Sequence, residues 1–159
     1  MDILYCLNWM INNKYTISFA ESCTGGLACA ELVKRPNASW VLNESYVVYA
    51  TKSKVDLLGV DEKVIDEFGV VSEEVAHHMA VCARIKAHSD IGIGITGNAG
   101  PTGCLGNNPI GAVCFGISLQ NKDFTYKVVF ENKKREEVIN ASVAFVYEKL
   151  RGVLENENL

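Results

Sequence analysis

The chain has 159 residues, 48% of them apolar and 21% charged, which is the composition of one globular domain with a single core and excludes wholesale disorder. A net charge of −4 argues against a nucleic-acid-binding surface, because such surfaces are basic enough to replace counterions along the phosphates; no nucleic-acid partner is expected, although a local basic pocket stays open. No apolar run approaches the roughly 20 residues of a membrane span, and the amino terminus has neither a basic n-region nor an obvious cleavage site, so a cytoplasmic protein is expected.

Asp2 to Lys14 carries apolar residues at Ile3, Leu4, Leu7, Met10 and Ile11, one face of an amphipathic helix. Thr16 to Phe19 reads as a short strand. Leu27 to Arg35 reads as a helix stopped by Pro36. Pro36-Asn37-Ala38-Ser39 is a turn. Trp40-Val41-Leu42 and Ser45 to Ala50 are predicted as a strand interrupted by a bend at Asn43-Glu44.

Thr51 to Gly59 is predicted as a short helix with Gly59 at its carboxyl end, and Asp61 to Gly69 repeats the plan with Asp61 as N-cap. Ser72-Glu73-Glu74 opens a longer helix to about Ser89 with the stripe Val75, Ala76, Met79, Ala83. Ile91 to Thr96 is a buried strand whose glycines permit close packing. Strands follow over Gly111 to Leu119 and Phe124 to Phe130, joined at Asn121-Lys122-Asp123. A helix from about Lys134 to Glu155 offers Val138, Ala141, Val143, Ala144, Phe145 and Leu150 to the core. Helices and strands mixed in this way predict an α/β sandwich with helices on both faces. The six cysteines form no Cys-x-x-Cys pair and lie mostly in apolar segments, so they read as buried thiols.

Three constellations carry possible chemistry. The first is the strand-to-helix turn Phe19-Ala20-Glu21-Ser22-Cys23-Thr24-Gly25-Gly26. Such a turn can lift a nucleophile out of a sheet and surround it with the N–H groups of a helix start. Ser22 is the candidate nucleophile; Cys23 is an alternative, and Ser22 or Thr24 acting as a plain helix cap is the structural reading. A serine needs a partner to remove its proton. His77 and His78 lie within an amphipathic helix and His88 at its end, all poorly placed. Tyr49–x4–Lys54 is the better candidate: the strand ends at Tyr49, and Lys54 falls in the first turn of the next helix. Both would face the turn if the strands are parallel neighbours. A buried lysine can act as a base once its pKa falls below its usual value; otherwise Lys52 and Lys54 are surface cations.

The third constellation is Gly97-Asn98-Ala99-Gly100-Pro101-Thr102-Gly103. Its amides could form an anion nest, or it is a structural turn; it has neither P-loop order nor a helix behind it.

With these segments together, the chain resembles the CinA carboxyl-terminal domain family, which includes nicotinamide-nucleotide amidohydrolases. The resemblance rests on Ala20 to Gly26, on Tyr49–x4–Lys54 running into Leu58-Gly59-Val60, on Gly69-Val70-Val71-Ser72, and on Gly97-x-Ala99-Gly100-Pro101-x-Gly103 followed by Pro109-x-Gly111. It implies a three-layer α/β/α sandwich around a mixed five-stranded sheet, and commonly a homodimer. It implies Ser22 as nucleophile, Lys54 as base and Tyr49 beside them, with oxyanion donors at Thr24, Gly25 or Gly26. The nucleotide pocket would draw on Gly97, Ala99, Gly100, Pro101, Thr102, Gly103 and the retained Arg135. The substrate would be a small nucleotide, nicotinamide mononucleotide, deamidated without metal or cofactor. The alternative is a catalytically silent nucleotide-binding module. The chain departs from the family pattern at Asn98, at Cys104 to Asn108 and at Ile139, where a small apolar residue, a glycine-rich loop ending in lysine and an arginine are frequent.

Overall fold

A computed structural model describes residues 1–103 and 106–157. Five strands, β1 (Ile17–Glu21), β2 (Leu42–Val47), β3 (Ile91–Gly97), β4 (Ala112–Ser118) and β5 (Asp123–Val129), form one sheet in the order β2-β1-β3-β4-β5. β1 is parallel to both neighbours, while β3–β4 and β4–β5 are antiparallel. The sheet is therefore mixed, as expected, and three parallel strands lie side by side at its functional end.

Among the described residues there are six α-helices, α1 (Asp2–Asn13), α2 (Leu27–Val33), α3 (Thr51–Ser53), α4 (Glu62–Phe68), α5 (Glu73–Lys86) and α6 (Arg135–Asn156). Strand alternation assigns the two faces. Ile17 and Phe19 of β1, Ile93 and Ile95 of β3, and Phe115 of β4 belong to one apolar cluster with Leu7 and Met10 of α1, Leu32 of α2 and Val146, Tyr147 and Leu150 of α6. Ala20 of β1 belongs to another, with Ile65 of α4 and Val75, Met79 and Ala83 of α5. The result is a three-layer α/β/α sandwich. No helix among the described residues is long and apolar enough to cross a membrane.

The predicted stripe of α5 is fully buried at Val75, Ala76, Met79 and Ala83, and Ser72 caps the helix by accepting from the Val75 amide at 3.2 Å. Glycines let α5 lie directly on the strands. A Cβ built on Gly94 would stand 2.2 Å from the Ala76 carbonyl oxygen, and one on Gly116 2.4 Å from the same atom.

Several expectations are corrected. Trp40 lies in a short 3₁₀ turn over Ala38–Trp40 and is exposed rather than in the strand. The bend predicted at Asn43-Glu44 is a register shift within a continuous strand, since Ile17 faces Leu42 and Ser18 already faces Glu44. The strand ends at Val47, short of Ala50. The helix predicted from Thr51 to Gly59 is one α-helical turn that widens into a π-helical turn at Lys54–Leu58, closed by Gly59 at φ 88°. In α6, Ala144 faces solvent, and Ser142, Val146 and Tyr147 take core places.

Candidate active site

Continuing the alternation of β1 puts Glu21 on the same side as Ile17 and Phe19, under α2. Its side chain is 0% exposed. One carboxylate oxygen accepts from the Thr24 hydroxyl at 2.5 Å and from the amides of Gly26 and Ala28, both at 3.1 Å; the other accepts from the Cys29 amide at 2.8 Å. An anion at a helix amino terminus meets aligned N–H groups and the positive end of the helix dipole. Glu21 thus fills the place that the glycine-rich turn could have offered to an outside anion.

The next residue turns away. The Ser22 amide donates to the Ile95 carbonyl of β3 at 3.0 Å, and the Gly25 amide donates back to the Ser22 carbonyl at 3.0 Å. Gly25 at φ 58° and Gly26 at φ 96° allow the tight path. The Ser22 hydroxyl caps no helix amide: it donates to the Tyr49 carbonyl at 3.4 Å and lies 3.0 Å from Lys54 Nζ. The amides of Gly25 and Gly26, two of the three expected oxyanion donors, are occupied by internal acceptors. Those of Cys23 and Thr24 have no acceptor among the described residues. Burial, and then the Glu21 charge, push the Cys23 thiol up to about 12, so this sulfur is a neutral packing group rather than a nucleophile.

Lys54 opens the π-helical turn with its side chain directed inward, 1% exposed. Besides Ser22 it meets the Val48 carbonyl at 2.8 Å and the Tyr49 carbonyl at 3.2 Å. Burial lowers its pKa from 10.5 to about 8, because desolvation disfavours the ammonium form. As placed, the Lys54 amine donates to the Ser22 hydroxyl and to both carbonyls. Once neutral it keeps two hydrogens for the carbonyls, and its lone pair can take the serine proton when the hydroxyl turns from the Tyr49 carbonyl. Tyr49 contributes to this arrangement through its backbone. Its side chain is half exposed, and its hydroxyl accepts from Arg135 at 2.7 Å rather than touching Lys54.

The cleft above Ser22 and Lys54 is lined by Cys23, Tyr49, Thr51, Val70, Val71, Thr96, Gly97, Asn98, Ala99 and Arg135. It lies beyond the carboxyl ends of the parallel strands β2, β1 and β3, the usual place for ligands in open α/β sheets. Arg135, the first residue of α6, also donates to the Gly100 carbonyl at 2.6 Å and so bridges two sides of the rim. Within the glycine-rich loop, the Asn98 side chain accepts from the Gly100 amide at 3.1 Å and donates to the Gly103 carbonyl. One amide of the expected anion nest is thereby spent on the loop itself. Pro101, Thr102 and Gly103 are exposed and stand away from the cleft lining.

Among the described residues no histidine lines the cleft; His77 instead pairs with Asp123 at 2.8 Å. Ile139 packs against the core beneath α6. Of the altered loop at 104–108, residues 104 and 105 lie outside the described residues, and Asn108 donates to the Val71 carbonyl at 2.8 Å. Sequence reasoning passed over Glu21 and Thr96, whose hydroxyl donates to the Val70 carbonyl at 2.9 Å. The alternation of β1 carried the signal for Glu21, since a carboxylate on the core side just before a helix start needs donors.

A buried serine–lysine pair at the switch from strand to helix, in a three-layer sandwich, defines a class of proteins with a candidate acyl-transfer site. The family model for the CinA C-terminal domain matches residues 5–154, and the chain belongs to that family. A CinA-like protein of Fervidobacterium nodosum is 40% identical over 120 residues, covering 76% of this chain and 29% of its own. A CinA-like protein of Leptospira biflexa is 35% identical over 152 residues, 93% of this chain and 36% of its own. The chain spans about a third of the length of the curated relatives it matches. The crystal structure of a competence or damage-inducible protein from Enterobacter asburiae superposes with a TM-score of 0.92 at 28% identity, covering 96% of each chain.

Proposed function

We propose that the chain is an amidohydrolase that converts nicotinamide mononucleotide and water to nicotinate mononucleotide and ammonia. The observation that supports this most directly is the 3.0 Å approach of the Lys54 amine to the Ser22 hydroxyl in a buried site. Neutral Lys54 takes the Ser22 proton as Oγ bonds to the carboxamide carbon. The amides of Cys23 and Thr24 receive the oxyanion, each donor worth on the order of 3 kcal/mol. Collapse breaks the C–N bond, and the nitrogen leaves as ammonia with the proton that Lys54 held. Water then adds to the acyl ester, gives a proton to Lys54 and releases the carboxylate as Ser22 regains its hydrogen. Arg135 at the rim and the backbone at Gly97 to Ala99 are the groups proposed to hold the nucleotide.

The test is ammonia release from nicotinamide mononucleotide by the purified chain. Ser22→Ala should abolish release above background, and Lys54→Ala should abolish it while calorimetry still detects nucleotide binding. Equal release by wild type and Ser22→Ala sinks the mechanism. Binding by the wild type without any release replaces it with the nucleotide-binding module.

A further inference from the structure

The glycine-rich turn after β1 has the outline of an anion cradle, yet a residue of the chain itself fills it. We infer that Glu21 is a positioning residue for the acyl-transfer site, an inference that rests on the function proposed above. Its carboxylate is wholly buried and takes four donors from Thr24, Gly26, Ala28 and Cys29. Its backbone is equally fixed, with its carbonyl accepting from the Val48 amide at 2.9 Å. Val48 also holds Lys54 through its own carbonyl. One residue therefore ties together the strand that presents Ser22, the segment that presents Lys54 and the first turn of α2.

Two consequences follow for the chemistry. Glu21 binds the helix amides and the Thr24 hydroxyl, so these donors are withdrawn from any substrate. What the turn leaves over is the pair of amides at Cys23 and Thr24. Thr24 is anchored on both sides of that pair: its hydroxyl goes to Glu21, and its carbonyl accepts from the Leu27 amide at 2.9 Å. The direction of the two free N–H groups is thus set by the carboxylate behind them. Donors aimed in advance at the developing oxyanion act on the transition state more than on the bound substrate.

A glutamine cannot replace this group silently. All four donors need acceptors, and one of the two oxygens becomes an NH2 that faces an N–H or O–H instead. The turn must shift, and a displacement of about 1 Å at reacting groups lowers rates on the order of 100-fold. Glu21→Asp keeps both oxygens but withdraws them by one methylene, so it should lie between wild type and Glu21→Gln.

The experiment compares wild type, Glu21→Gln and Glu21→Asp in three measurements: unfolding by urea, nicotinamide mononucleotide binding by calorimetry, and the rate at which a fluorophosphonate labels Ser22. The phosphoryl oxygen of that probe occupies the oxyanion position, so labelling reports the site even where ammonia release is absent. In a variant that unfolds cooperatively, the expected result is binding within about threefold of wild type, with labelling and kcat slowed about 100-fold for Glu21→Gln and less for Glu21→Asp. The pH midpoint of the labelling rate, set by Lys54, should stay in place. Labelling at the wild-type rate in folded Glu21→Gln overturns the inference. So does a loss of binding that matches the loss of rate, which would mark a collapsed pocket rather than misdirected donors. Wild type that labels without releasing ammonia refutes the amidase reading alone; wild type that does neither refutes both.

Discussion

At the scale of single residues, Lys54 is where folding and chemistry meet. A lysine whose pKa falls from 10.5 to about 8 on folding binds its proton more weakly in the native state than in the unfolded one. Below pH 8 both states carry the proton, and the native state bears the whole cost of a buried cation, about 3 kcal/mol for this shift. Between pH 8 and 10.5 the native state has released the proton and the unfolded state has not, so this contribution to stability rises with pH. Above 10.5 it is constant. The thiols of Cys6, Cys23 and Cys114, held up at about 12, 12 and 11 by burial, act in the opposite sense above pH 9. Comparison with Lys54→Met cancels the contributions of Cys6 and Cys114 and leaves only the mutual interaction of Lys54 with Cys23, a smaller cause than burial for both groups. The stability of wild type relative to Lys54→Met should therefore climb by about 3 kcal/mol from pH 7.5 to 10.5 in urea titrations, and the rate of Ser22 labelling should rise through a midpoint near 8 in wild type. A flat difference would mean that Lys54 keeps its usual affinity for protons.

At the scale of elements, the contact between α5 and the sheet is the tightest joint. Gly94→Ala places a methyl 2.2 Å from the Ala76 carbonyl oxygen and 2.8 Å from the Ala80 nitrogen, both backbone atoms that yield only if the helix moves. A cost of about 3 kcal/mol is expected in chemical denaturation. The glycines of Ile91 to Thr96, the stripe of α5 and the Asp61 cap were all legible, because each depends on local periodicity or on one residue's backbone preference. What was less legible depends on distant contacts. Trp40 has a strand former's side chain, but the chain there is still turning after Asn37 at φ 69°. Spacing placed Tyr49 and Lys54 beside the elbow; it could not reveal that the π-helical turn sends Lys54 inward, or that Tyr49 serves it by a carbonyl while its ring reaches for Arg135. Gly25 and Gly26 look like free donors until the Ser22 carbonyl that takes the first amide and the Glu21 carboxylate that takes the second are seen.

At the scale of the molecule, the site is joined to the layer of α1, α2 and α6 through α6. The Tyr147 hydroxyl, buried beneath the sheet, donates to the Ala28 carbonyl of α2 at 2.6 Å, and the Tyr147 ring packs beside Phe19 of β1 at 6.4 Å between centroids. Tyr147→Phe keeps the ring and removes only the bond, so stability should fall by about 1 kcal/mol while the KM of the proposed amidase reaction stays unchanged. A shifted KM would show that the bond also tunes the cleft. The same helix starts with Arg135, whose side chain joins Tyr49 to Gly100 across the rim. On the ribosome that guanidinium emerges after Ser22, Lys54 and every strand. Until α6 docks, Phe115 of β4 and Phe19 of β1 lack the Phe145 and Tyr147 rings that pack beside them and the rim lacks its bridge, so one late element supplies a part of the core and a part of the pocket together.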